Sequence, residues 1–146
     1  MGYKIEEPIE PNEPLRPIGV WALTIYAGLF AGISPLIFNI LLLVTGGADE
    51  PISLAFSILL NIGIIYFAFR TWQGKNWERK IFLIILTLYY LLIGLNNLLL
   101  FVTQPVPEDE LFQVVGRILQ GIFFPAIYIW YFNRSATKYF FTSKYE

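Results

Sequence analysis

Four uninterrupted apolar runs constrain this chain more than any other feature: Ile18–Val44, Ile52–Phe69, Ile81–Val102 and Leu111–Phe132. None of them holds an Asp, Glu or Lys. A helix needs about 20 predominantly apolar residues to cross a bilayer, and it satisfies its own backbone polar groups while doing so. Strands of a membrane barrel would alternate apolar and polar residues, whereas these runs are continuous. The chain therefore reads as an all-α membrane protein, an up-down-up-down bundle of four transmembrane helices over 18–44, 52–69, 81–102 and 111–132. Short links at Thr45–Pro51, Arg70–Lys80 and Thr103–Glu110 make consecutive helices antiparallel neighbours. They leave no room for a soluble domain between helices.

Composition agrees. Charged residues make up 14% of the 146 residues, against about 25% in a soluble domain. The net charge of −1 provides no basic field for nucleic acid. With no Cys and no His, disulfides, thiolate metal sites, Cys nucleophiles and the usual general base are absent. No catalytic residue, metal site or cofactor is expected, and proton-coupled transport finds no intramembrane carboxylate or His relay. A Tyr-based enzyme, using Tyr26, Tyr89 or Tyr90, is the remaining catalytic alternative. Tyrosines at such depth more often pack with a single hydrogen bond.

Residues 1–17 form an acidic, proline-rich arm, read as extended, and 133–146 a tail. The first run is longer than the roughly 7–15-residue core of a signal peptide and is preceded by acidic residues, so it reads as a spanning helix. Pro35 predicts a kink in it, and Pro125 predicts a bend in the fourth helix by freeing the Gly121 carbonyl. Start signals precede the other helices: Asp49, Glu50 and Pro51; Asn76 as an N-cap with Glu78 in the first turn; and Glu108, Asp109 and Glu110.

The basic residues sort by side. Lys4, Arg16, Arg70, Lys75, Arg79, Lys80, Arg134, Lys138 and Lys144 flank one side of the spans, while the other two loops carry only carboxylates. The positive-inside rule places both termini and the middle loop in the cytoplasm. Trp21, Trp72, Trp77 and Trp130 map to the same side as an interfacial belt.

The tenth cation, Arg117, lies about two turns into the fourth helix from the outer side. At a bilayer centre an arginine costs about 2.5–3.5 kcal/mol, and less toward the interface. One reading lets it snorkel to the outer surface. The other uses its neighbours: Asn39, Asn61, Asn96, Asn97, Gln113 and Gln120 all fall in the outer half or near the middle. Each helix carries one seam of small or polar residues at helical spacing: Gly28, Gly32, Pro35 and Asn39; Ser53, Ser57 and Asn61; Thr87, Tyr90, Gly94 and Asn97; Gln113, Arg117 and Gln120. Such seams are expected to turn inward, where amides find partners. The amides then serve either as structural glue between helices or as the lining of a polar pocket around Arg117 for a lipid headgroup, a carboxylate or another anion.

Three blocks carry a resemblance: RPIGVWALTIYAG from Arg16, FRTWQGKNWERKIFLIILTL between the second and third helices, and AIYIWYFNRSATKYF at the end of the fourth. In that order, through Arg16, Pro17, Gly19 and Val20, then Asn76, Trp77 and Arg79, then Tyr131, Ser135, Tyr139 and Phe140, the chain resembles small bacterial four-helix membrane proteins of unknown function. The resemblance implies a bacterial inner membrane and an N-in, C-in bundle, and brings no catalytic residues. Expected partners are membrane lipids and a larger membrane complex. The leading function is that of a non-enzymatic accessory subunit. The alternative is a small-molecule, lipid or anion-binding membrane protein, such as a transporter component, that uses the polar layer around Arg117.

Overall fold

The computed structural model describes residues 16–46 and 51–143, and among them only helices occur. Helix α1 runs Ile18–Thr45, α2 Pro51–Trp72, α3 Asn76–Thr103 and α4 Glu108–Asn133. All four are long and apolar enough to cross a membrane. A short fifth helix, α5, follows at Ser135–Ser143. The acidic arm up to residue 15, the signals at Asp49 and Glu50, and Lys144 lie outside the described residues.

The helices extend past the apolar runs because polar residues also suit a helix end. Glu108, Asp109 and Glu110 form the first turn of α4, where carboxylates meet the positive end of the helix dipole. Asn76 lies inside the first turn of α3 and not at its cap: Lys75 occupies the N-cap and makes no side-chain capping bond. Glu78, in the same turn, instead pairs with Arg70 at the end of α2, at 2.9 Å.

Helix α1 is not uniform. Its middle, Gly28–Ile33, is π-helical, and Ser34–Thr45 resumes as α-helix with Pro35 at its start. Proline has no N–H to return to the carbonyl four residues back. The wider turn precedes that proline as a single π segment within the helix.

Side-chain contacts set the order of packing. Between α1 and α2 they step from Asn39 with Asn61 to Gly28 with Ala68, running antiparallel. Between α3 and α4 they step from Gly94 against Gly121, through Tyr90 stacked on Phe124, to Phe82 against Tyr128 and Phe132. A Cβ added to Gly121 would lie 2.6 Å from the Gly94 Cα, so the two backbones touch there and only glycine fits. The core runs from this crossing toward the end that carries Arg16, Arg70, Lys75, Arg79, Lys80, Arg134 and Lys138, here called the basic end. Val20, Ala27, Ala31, Ile64, Phe82, Leu86, Tyr128, Phe132 and Phe141 are its most enclosed members. Large apolar side chains point outward along all four long helices, as expected where the surrounding solvent is lipid.

Candidate functional site

Three of the four polar seams turn inward. Asn39, on α1, donates from Nδ2 to Ser57 Oγ at 2.8 Å and to Asn61 Oδ1 at 3.0 Å. Asn61, fully buried on α2, donates from Nδ2 to the Ala31 carbonyl at 2.9 Å. That carbonyl is the one Pro35 cannot serve. This closed network joins two of the amides singled out in the sequence. On α3, Tyr90, Gly94 and Asn97 are buried. Asn97 donates to its own Ile93 carbonyl at 2.8 Å, and its buried Oδ1 has no partner. Asn96, one residue earlier, is exposed on a different face.

The fourth seam lies elsewhere. Gln113, Arg117 and Gln120 are all exposed. The inward face of α4 belongs to Val114, Gly121, Pro125, Tyr128 and Phe132. Both stripes have helical spacing, and they lie roughly a quarter-turn apart at 100° per residue. The polar stripe continues at the same spacing into Phe124 and Tyr131. There α1 covers it: Tyr26 stacks on Phe124 at 5.7 Å, and the Tyr131 ring lies where a Gly19 side chain would be. One α4 position off this flank, Tyr128 donates from its hydroxyl to the Leu23 carbonyl at 3.1 Å.

Contacts between α1 and α4 are concentrated in the first α-helical segment, Ile18–Ala27. Beyond it, α1 packs along α2, held by Gly32 against Ile65 and by the amide network. One flank of α4 is thus covered in its basic half by α1 and left open in its other half, where Gln120, Arg117 and Gln113 follow one another outward. Arg117 lies about 13 Å along the helix from Glu108, at 1.5 Å per residue.

A second polar centre, at the basic end, is less visible in the sequence. Arg79 is only 5% exposed. Its Nη1 donates to the Phe132 carbonyl at 2.7 Å, near the C-terminal, negative end of α4, and its guanidinium lies 5.0 Å from the Phe141 ring centroid. Thr137, Phe140 and Phe141 of α5 are buried against the bundle, so Ser135–Ser143, within the segment read as a tail, is a packed helix. A signal was present: Thr137, Phe140 and Phe141 are spaced by three and four, one helix face. Arg79 falls in a basic loop-like stretch, where nothing in the pattern separates a buried arginine from a solvated one.

No family model, curated protein or solved structure matches the chain.

Proposed function

We propose that this chain is a non-enzymatic accessory subunit of a larger membrane complex, spanning a bacterial inner membrane four times with both termini in the cytoplasm. The observation that carries this reading is the open flank of α4. Two amides and a guanidinium face outward at consecutive turns on a helix otherwise apolar enough to span. In hydrocarbon such groups are costly unless something pairs with them. The chain's own α1 covers the same flank only as far as Phe124. A transmembrane helix of another protein, offering hydroxyls, carbonyls or a carboxylate to Arg117, fits the uncovered part. The orientation follows from the basic residues gathered at one end.

Photo-crosslinkers at Gln113 and Gln120 in native membranes test this. The expected result is a discrete protein adduct from both positions and none from Ile122, which is exposed on the opposite face of α4. Arg117→Leu should release the partner on gentle extraction, while the stability of the isolated chain changes by no more than about 0.5 kcal/mol, as for an exposed side chain. A second reading, an anion or lipid headgroup held by Arg117 between the two amides, is favoured by the same exposed guanidinium. It predicts lipid adducts at Gln113 and Gln120 in place of protein ones.

A further inference from the structure

At the basic end of the α1–α2 face lies an apolar groove of about 330 Å³, lined by Thr24, Gly28, Ile33, Ile65, Ala68 and Trp72. It exists because Gly28 has no side chain at the start of the π segment. A Cβ there would reach nothing closer than the Ala68 Cβ, at 3.9 Å. Gly32, one turn on, leaves no such space, since Ile65 fills it. The Thr24 hydroxyl is turned away, bonded to the Val20 carbonyl at 2.6 Å, which leaves the groove walls essentially hydrocarbon.

Its basic-end wall is different. Trp72 stands there with the Arg16 guanidinium 4.4 Å from its ring centroid. The Trp72 Nε1, Arg16 Nε and neighbouring Arg70 Nε donors are buried and have no partner. Seven side-chain polar atoms share that state among the described residues, and six of them are at this end, on Arg16, Arg70, Thr71, Trp72, Asn76 and Arg79. Four of the six are cationic or indole N–H donors, the others being the Thr71 hydroxyl and the Asn76 amide oxygen; Glu78, already paired with Arg70, lies among them. An apolar slot topped by unpartnered positive donors matches one kind of molecule: an acyl chain carrying an anionic phosphate at its end.

We propose that this groove seats one acyl chain of an anionic phospholipid, with its phosphate at Arg16 and the Trp72 N–H. The inference rests on the four-span reading and is independent of what covers Arg117. Native mass spectrometry of the full chain, released from micelles holding equal amounts of phosphatidylglycerol and phosphatidylcholine, tests it. The wild-type protein should retain phosphatidylglycerol preferentially. Arg16→Ala should cut that preference about fivefold, the factor one basic residue near an anionic surface carries. Gly28→Leu, which fills the slot while leaving the cations in place, should remove one bound lipid. Lys80→Ala, a cation bordering a different groove, should leave the preference unchanged. Equal retention of the two lipids by the wild-type protein overturns the proposal. So does full preference in Arg16→Ala, or an unchanged lipid count in Gly28→Leu.

Discussion

Asn61 on α2 hydrogen-bonds the Ala31 carbonyl of α1 at 2.9 Å, and Ala31 stands four residues before Pro35. An asparagine on one helix thus serves the carbonyl that a proline on its neighbour cannot. The same asparagine accepts from Asn39, so a single side chain supports both the π segment and the amide pair.

Asn61→Leu should therefore destabilise the fold by about 1–2 kcal/mol, roughly two to three times the ~0.6 kcal/mol average for one hydrogen bond between membrane helices, because two bonds go at once. Asn39→Leu also breaks two bonds, to Ser57 and Asn61, but should cost less, since the one to Ser57 is only partly buried and Asn61 keeps its bond to Ala31. Pro35→Ala restores a backbone donor to Ala31. In that background Asn61→Leu should cost at least about 0.5 kcal/mol less, a coupling that a double-mutant cycle resolves. Reversible unfolding in bicelles is the measurement, and additive costs would show that Pro35 and Asn61 act separately.

Glycines at the α3–α4 crossing should divide sharply. Gly121→Ala puts a Cβ against the Gly94 Cα and should destabilise by about 1–3 kcal/mol, the cost of overpacking. Gly116 meets nothing within 4 Å of an added Cβ. Gly116→Ala should be neutral or stabilising, by up to about 1 kcal/mol from helix propensity. Thermal unfolding of the two variants side by side decides, and equal effects would mean the crossing is not tight.

Arg79 should control α5. Arg79→Met removes the bond to the Phe132 carbonyl and the face contact with Phe141. A hydrogen bond to a charged group contributes about 1.5–3 kcal/mol. Trypsin should then cut after Lys138 roughly tenfold faster or more, at the factor of ten per 1.4 kcal/mol that governs such openings. Unchanged cleavage would show that Thr137, Phe140 and Phe141 hold the helix without it.

Much of this was legible in the residues. The apolar runs marked all four long helices, and their ends moved outward by more than one residue where Arg70–Trp72, Asn76–Lys80 or the Glu108–Glu110 carboxylates continued a helix beyond hydrocarbon. The seam through Gly32 and Asn39 and the one through Asn61 did meet, because glycines, amides and a proline on adjacent helices had few other ways to be satisfied. Arg117 and its two glutamines were harder. Their stripe and the Gly121–Pro125–Tyr128 stripe both repeat with helical period, and periodicity does not say which of two stripes faces the core. The Gly94–Gly121 contact decides that, and it joins residues on two different helices. Pro35 marked a break in α1, but the partner of the freed Ala31 carbonyl and the burial of Arg79 were hidden, since each depends on a residue distant in sequence: Asn61 for one, Phe132 for the other.

The amide network and the glycine crossing each fasten helices adjacent along the chain, α1 to α2 and α3 to α4. Each hairpin thus carries its own fastening. The α1–α4 seam is zipped only at the end where Tyr128 and Leu23 meet, which leaves the bundle shaped as a clasp with one side ajar.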